Sequence, residues 1–135
     1  MGEVTHIVDA SALIAYYRLE NGHQRFADIL SCEENVLAIH SINLLEVYYD
    51  YYRSDGPDVA EQVWKKTVSL LQLIDRLDER FLKIVGRWKA SKGISLGDAF
   101  AAATAESEAA CLMTADHRDF DPIKEKKELN IVWIR

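Results

Sequence analysis

The sequence contains few of the residues that hold small secreted or fibrous proteins together. Its 135 residues include 2 cysteines, 2 prolines and 6 glycines. Two cysteines cannot build the disulfide framework of a small secreted domain, and so little glycine and proline excludes a collagen-like chain. No apolar run approaches the roughly 18 residues of a membrane span, and no basic segment followed by an apolar one opens the chain. We therefore expect a cytoplasmic protein, not bound to a membrane, that forms a single domain over residues 1–135.

An excess of positive charge is also missing. The chain has 16 lysines and arginines against 22 aspartates and glutamates, which gives a formal net charge of −6. A protein that coats nucleic acid normally carries a basic surface, so this composition argues against that class. An enzyme that acts on nucleic acid through bound metal ions remains open, but it must concentrate its positive charge locally.

Short apolar runs rich in β-branched residues alternate with longer stretches of helical period. The runs predict five strands, at residues 4–8, 36–39, 71–74, 110–114 and 131–134. Strands that alternate with helices require crossover connections and therefore pair in parallel. The predicted fold class is α/β, with three layers and a central parallel sheet of about five short strands between helices.

Local signals predict where several helices begin. Helices are expected to start at Ser41, at Pro57, at Asp78 and at Ser95, each a residue type favoured at a helix start. In the helix after Ser41, the spacing predicts a buried stripe of Ile42, Leu45, Tyr49 and Tyr52. In the helix after Ser95, it predicts an apolar face of Leu96, Phe100, Ala103 and Ser107. The residues Asp119 to Asp121 read as a turn, with the second proline, Pro122, beside them.

Four acids stand where parallel strands would bring them together. Asp9 directly follows the first strand and Asp116 follows the fourth by two residues, and ligands bind at the carboxyl ends of such strands. Glu46 borders the predicted stripe of its helix, and Asp98 is the one charge on a helix face of alanines. Each also has an ordinary explanation. Asp98 forms a capping box with Ser95, Glu46 fits a surface ion pair, and the other two fit loop acids that accept backbone N–H groups.

Several carboxylates at one edge of a sheet repel one another unless something offsets their charge. Two of them about 4 Å apart repel by roughly 1 kcal/mol in water and about 4 kcal/mol at an effective dielectric of 20. A divalent cation removes this cost, and an all-oxygen ligand set suits Mg²⁺ or Mn²⁺. Zinc prefers histidine and cysteine, and the spacing of the four histidines shows no paired ligands.

The order and spacing of these acids resemble those of the PIN domain, and in particular of the short VapC-type toxins of toxin–antitoxin pairs. The resemblance rests on Glu46 and on three segments, DASAL at 9–13, SLGDA at 95–99 and TADHRDF at 114–120. It covers essentially the whole chain. It implies an endoribonuclease that cuts single-stranded RNA with one or two Mg²⁺ or Mn²⁺ ions. The catalytic and metal-binding residues that it implies are Asp9, Glu46, Asp98 and Asp116.

The resemblance also assigns supporting roles and partners. It implies that Ser11, Thr114 and Asp119 support the ligands from outside the metal shell, that the protein forms a homodimer, and that an antitoxin covers the acid-lined groove. Independently, Arg87, Lys89 and Lys92 lie on the helix that leads to the Asp98 segment, and they are candidates to guide RNA. The tyrosines at 48, 49, 51 and 52 fit either base stacking or packing in the core or an oligomer.

Two other classes compete with this hypothesis. A catalytically silent PIN-like module that binds RNA or protein would keep the same fold. A phosphatase or phospho-receiver would also place an acid after the first strand. In this chain, however, Ser11 stands where a phosphatase would carry its second acid, and no lysine follows the last strands as a receiver requires.

Overall fold

Five parallel strands form the centre of the computed structural model, which describes residues 3–135. Their bounds are β1 His6–Val8, β2 Leu37–His40, β3 Gln72–Ile74, β4 Cys111–Thr114 and β5 Ile131–Trp133. The strand order in the sheet is β3-β2-β1-β4-β5, and every neighbouring pair is parallel. All five predicted strands are therefore confirmed to within one or two residues at each end.

Seven helices connect these strands in the part of the chain described. They are α1 Ala10–Tyr17, α2 His23–Ser31, α3 Ser41–Asp55, α4 Pro57–Leu70, α5 Glu79–Lys92, α6 Leu96–Glu108 and α7 His117–Glu125. None of the helices within residues 3–135 is both long enough and apolar enough to pass through a membrane.

The sheet separates two hydrophobic cores because successive side chains of a strand point to opposite faces. In β1, Ile7 packs with α5, α6 and α7, whereas Val8 packs with α1 to α4. In β4, Leu112 and Met113 divide in the same way. The fold thus has helices on both faces of a parallel sheet, as predicted.

Helix α6 is the most deeply buried helix of the structure. Ser95 caps it by accepting the N–H of Asp98 at 3.1 Å, as the sequence predicted. Its residues 97 and 99–105 are all buried, which agrees with a helix that is apolar on nearly every side. The prediction for Leu96 was wrong, because that side chain is 56% exposed at the helix start.

Helix α3 differs from the prediction in both its cap and its buried face. His40, not Ser41, is the N-cap residue. The expected stripe is largely wrong, because Leu45, Tyr49 and Tyr52 are 45%, 46% and 50% exposed. The buried residues of the helix are instead Asn43, Leu44, Val47 and Tyr51. The polar residue Asn43 interrupts the row of buried apolar side chains, and tyrosine can lie on either face of a helix. The periodicity therefore favoured the exposed face of α3.

Two helices have no counterpart in the sequence prediction. Helix α2 buries only Phe26, and the residue before it, Gly22, provides no side-chain cap to mark its start. Helix α7 includes residues 119–121, which were predicted to form a turn, and the proline beside them, Pro122. The proline removes one backbone hydrogen bond of the helix, and packing of Phe120 and Ile123 in the core maintains the helix around it.

The side chain of His40 ties the start of α3 to the loop after β3. Its ring is fully buried and stacks on Phe81 with a centroid distance of 5.2 Å. Its Nδ1 accepts the N–H of Ile42 at 3.1 Å, and its Nε2 lies 2.9 Å from the carbonyl of Arg76. A carbonyl only accepts, so the proton resides on Nε2 and the ring is neutral.

Acidification is expected to destabilise the protein through His40. Burial lowers the pKa of its imidazole below the usual value. The unfolded chain therefore binds a proton near pH 6.5 that the folded chain resists, so this stabilisation is complete above about pH 6.5 and is lost as the pH falls below it. Urea titrations at several pH values measure the free energy of unfolding. As the pH falls, this free energy should decrease by up to about 1.4 kcal/mol more per pH unit in wild type than in His40→Asn. Equal slopes for the two proteins would contradict the assignment.

Candidate active site at the switch point of the sheet

The carboxyl ends of β1 and β4 form the point where the strand order reverses. β1 lies at the centre of the sheet, with β2 on one side and β4 on the other. Val8 pairs with Met113, and the N–H of Asp9 donates to the carbonyl of Met113 at 3.1 Å. Ligands of open α/β sheets bind in the crevice at such a switch point. The residues that follow these two strands are therefore the first candidates for a site.

Asp9 lies at the bottom of this crevice with both carboxylate oxygens hydrogen-bonded. It caps α1 by accepting the N–H of Ala12 at 2.9 Å, and the Ser11 hydroxyl donates to the same oxygen at 2.8 Å. The Thr114 hydroxyl donates to its other oxygen. The side chain is 1% exposed, and this burial raises the pKa of Asp9 to about 6, although the three hydrogen bonds act in the opposite direction.

The two hydroxyls that hold Asp9 are themselves oriented by backbone groups. Ser11 Oγ accepts the N–H of Ala115 at 3.0 Å, and Thr114 Oγ1 accepts the N–H of Asp116 at 2.9 Å. Because each hydroxyl accepts from a backbone amide, its own proton is free to point to Asp9. The segment after β4 is thereby coupled to the carboxylate after β1.

Asp98, Asp116 and Asp119 form a compact cluster above Asp9. One carboxylate oxygen from each lies within 4.8 Å of the other two. Asp98 stands in the first turn of α6, and Asp116 caps α7 by accepting the N–H of Asp119 at 3.2 Å. Asp119 in turn accepts the N–H of Ser95 at 3.1 Å, which joins the starts of α6 and α7.

The electrostatics of this cluster show how crowded its carboxylates are. Burial is the main cause that raises the pKa of Asp98 far above its usual range, and the neighbouring carboxylates of Asp119, Asp116 and Asp9 add to it. The pKa of Asp119 is lowered, mainly because it accepts the hydrogen bond that Asp98 donates when protonated. The crowding of these carboxylates thus favours the protonated form of Asp98 and the ionised form of Asp119.

Glu46 reaches the same place from α3 on the other side of the crevice. Asn43 donates one amide hydrogen to Glu46 Oε1 and the other to the carbonyl of Gly97, both at 2.9 Å. Gly97 has no side chain, and the Glu46 carboxylate occupies the space where a Cβ would lie, with Cδ only 2.5 Å from that position. Burial raises the pKa of Glu46. A depression of about 300 Å³ is lined by Glu46, Asp98 and Asp116.

The structure thus brings all four sequence-predicted acids to one crevice and adds Asp119 to them. Ser11 and Thr114 contact Asp9. Asp119, which the resemblance placed outside the metal shell, has a carboxylate oxygen within 4.8 Å of oxygens of both Asp98 and Asp116.

Asn43 is a residue of the site that sequence reasoning missed. It is fully buried between α3 and α6, and its Oδ1 has no hydrogen-bond partner within residues 3–135. A buried polar atom without a partner costs about 1–3 kcal/mol. The signal in the sequence was an asparagine three residues before Glu46, on the same helix face.

The basic residues that the sequence nominated have different surroundings. Arg87 makes two contacts of 2.6 Å with Glu106, and Lys92 pairs with Glu128 at 2.6 Å. Lys89 instead lines a second depression of about 370 Å³, together with Arg118 and Asp119. A larger cavity of about 430 Å³ lies near Arg76, Glu106 and Ser107 at the opposite end of α6. None of the acids of the candidate site lines this cavity.

A parallel α/β/α fold with an acid cluster at its switch point defines the class of domain to which this chain belongs. The chain matches the PIN domain family over residues 6–126 and belongs to that family. No curated protein sequence matches the chain.

Solved structures share the fold at low sequence identity. VapBC2 from Rickettsia felis, bound to a DNA fragment from its promoter, has a TM-score of 0.74 and 21% identity, covering 96% of this chain and 98% of the other. DNA-bound VapBC from Salmonella typhimurium has a TM-score of 0.75 and 18% identity, covering 98% and 99%. VapC20 from Mycobacterium tuberculosis, described as a toxin that cleaves the Sarcin-Ricin loop, has a TM-score of 0.70 and 12% identity, covering 87% and 95%.

Proposed function

We propose that this protein is a Mg²⁺- or Mn²⁺-dependent endoribonuclease that cuts single-stranded RNA. The observation that carries the proposal is the convergence of Asp9, Glu46, Asp98, Asp116 and Asp119 from four separate segments on one crevice of the sheet. RNA as the substrate is supported by the activity described for VapC20.

The residues present fit one or two hard divalent cations. The side chains that converge at the cluster are carboxylates, and three of their oxygens lie within 4.8 Å of one another. Burial and the neighbouring carboxylates raise the pKa of Asp98 well above its usual range, as expected where carboxylates crowd together without a cation between them. Oxygen donors of this charge are the ligands that Mg²⁺ and Mn²⁺ prefer.

The chain's own residues would divide the work of phosphodiester hydrolysis. Asp98, Asp116 and Asp119, with Glu46 from the opposite wall, would hold the cation against the scissile phosphate. When bound, the cation supplies charge stabilisation at the phosphate and lowers the pKa of an attacking water. Asp9 would fix the geometry from below, since Ser11 and Thr114 hold its carboxylate in a single orientation.

Asp9→Asn is expected to lower RNA cleavage about 10- to 100-fold, since residues that orient the ligands of a catalytic metal have effects of this size. Asparagine caps helices as well as aspartate does, so the fold is retained. The measurement is cleavage of labelled single-stranded RNA in Mn²⁺, with EDTA as a second arm that should stop the reaction. Asp78→Asn is the matched control, because Asp78 also caps a helix, α5, but lies outside the crevice.

Near-normal cleavage by Asp9→Asn, or wild-type cleavage that persists in EDTA, would contradict the proposal. Normal cleavage by Asp78→Asn shows that the loss is specific to the crevice and is not the general effect of a neutralised cap.

We further propose that the protein is the toxin of a cytoplasmic toxin–antitoxin pair and forms a homodimer. The fold shared with the VapBC complexes supports an antitoxin partner. Exposed apolar side chains on α3 and α4, among them Leu45 and Val68, support an interface between protomers.

A further inference from the structure

We infer that a single RNA strand crosses the acid cluster between two anchors, with Tyr49 and Arg53 on one side and Lys89 and Arg118 on the other. This inference rests on the proposed function and deepens it, because it names the residues that would bind the strand on each side of the cut.

The first anchor borders the depression that contains Glu46. Tyr49 and Arg53, one turn apart on α3, line this depression beside Asp98 and Asp116. The Tyr49 ring is 46% exposed, and the Arg53 guanidinium lies 5.5 Å from its centroid. An exposed ring next to a cation is a platform on which an unpaired base stacks. The Arg53 guanidinium lies 3.8 Å from a carboxylate oxygen of Asp50, a long and exposed ion pair that an adjacent phosphate can replace.

The other three tyrosines of α3 are committed elsewhere. Tyr51 is buried beneath the Arg18 guanidinium, which lies 4.1 Å from its ring centroid. Tyr48 packs edge-on against Trp64 and donates to Glu61 at 3.1 Å, and Tyr52 packs on Tyr48. Tyr49 is therefore the tyrosine of this group that lines the crevice.

The second anchor borders the depression on the α5 and α7 side. Lys89 and Arg118 line it together with Asp119, and it shares Ser95 and Asp116 with the first depression. The two depressions therefore adjoin at the acid cluster. Both cations are exposed, whereas the neighbouring Arg87 and Lys92 are held by glutamates at 2.6 Å.

The positions of these cations explain how a chain with a negative net charge could bind RNA. A chain with a net charge of −6 repels RNA as a whole, so its cations must stand where the backbone passes. The two anchors place cations on both sides of the carboxylates. Stacking on Tyr49 requires a base whose face is free, which a single strand offers and a duplex does not.

Fluorescence anisotropy with a short labelled oligoadenosine tests both anchors. The binding buffer contains EDTA, so that the strand is not cut, and the salt concentration is varied. Tyr49→Ala should weaken binding about fivefold or more, and Tyr49→Phe should restore it because stacking needs only the ring. Lys89→Ala and Arg118→Ala should each lower the slope of log affinity against log salt by about 0.7.

Three controls separate these effects from general ones. Tyr52→Ala removes an equally exposed tyrosine of α3 and should bind like wild type. Lys83→Ala removes an exposed lysine of α5 that pairs with Glu79 and should leave the salt slope unchanged. An abasic strand of the same length should bind wild type and Tyr49→Ala equally.

The inference is overturned if Tyr49→Ala binds like Tyr52→Ala, if its defect persists on the abasic strand, or if wild type does not bind the strand. Wild type that cleaves RNA while Tyr49→Ala binds normally would refute the anchor and leave the proposed nuclease intact. The expected binding pattern without cleavage in Mn²⁺ would refute the nuclease and support the anchors.

Discussion

Asp98→Asn should make the metal-free protein more stable while it abolishes the response to Mn²⁺. The pKa of Asp98 is raised well above its usual range, chiefly by burial, so the folded state must hold a proton that the unfolded chain releases at neutral pH. Asparagine keeps the shape of the protonated acid without this cost. If this cost amounts to about 1 kcal/mol, its removal would raise the melting temperature in EDTA by roughly 2–4 °C.

The stability advantage of Asp98→Asn over wild type should change with pH in a definite direction. A carboxyl group whose folded pKa is raised stabilises the protein less as the pH rises above its unfolded pKa, so the advantage of Asp98→Asn should be larger at pH 8 than at pH 6. Thermal melts with and without Mn²⁺ provide the measurement. A real ligand at 100 times its dissociation constant stabilises wild type by about 2.7 kcal/mol, and this gain should disappear in the variant.

Asp58→Asn serves as the matched control, because Asp58 also stands in the first turn of a helix, α4, outside the crevice. It should show neither the gain in EDTA nor the loss of the Mn²⁺ response. A metal-free Asp98→Asn protein that melts below wild type, or a variant that Mn²⁺ stabilises as much as wild type, would refute the role assigned to Asp98.

Gly97→Ala is expected to impair catalysis strongly with little effect on stability. A Cβ at this position would overlap the Glu46 carboxylate, which is the end of a flexible side chain and therefore moves away. Displacement of a catalytic group by about 1 Å costs on the order of 100-fold in rate. Alanine is also the better helix former by up to about 1 kcal/mol, which offsets the lost contact with Asn43.

Gly86→Ala is the matched control for this substitution. Gly86 lies in helix α5, and among residues 3–135 nothing beyond the adjoining turns of that helix comes within 4 Å of the position that a Cβ would take. Alanine there should raise the melting temperature and leave activity unchanged. The measurements are kcat/KM on RNA and thermal melts of both variants. A Gly97→Ala protein with wild-type kcat/KM, or one that fails to fold, would contradict the proposal that Gly97 leaves the space in which the Glu46 carboxylate lies.

The sequence allowed the sheet and the site acids to be predicted because their signals are local. The strands are short apolar runs between helix starts, and Ser95, Pro57 and Asp78 mark those starts by hydrogen bonds or backbone geometry within a few residues. Asp9 follows β1 directly and Asp116 follows β4 by two residues, so parallel pairing alone brings them together.

The features that were missed depend on contacts between distant segments. Which face of α3 is buried is decided by packing on α1, α4 and α6, and no periodicity within α3 contains that information. Asn43 gains its importance from the carbonyl of Gly97, 54 residues away. Arg87 and Lys92 looked equivalent to Lys89 on the helix, but glutamates from other segments hold the first two.

The alanines of α6 determine how closely this helix lies on the sheet. Methyl groups at 99, 101–103 and 105 let this helix lie directly on β1, β2 and β4. The thickness of that layer sets the height at which Asp98 stands above the strand ends. Bulkier side chains there would move the helix away from the sheet and the Asp98 carboxylate with it, so these alanines set how far Asp98 stands from the acids that follow the strands.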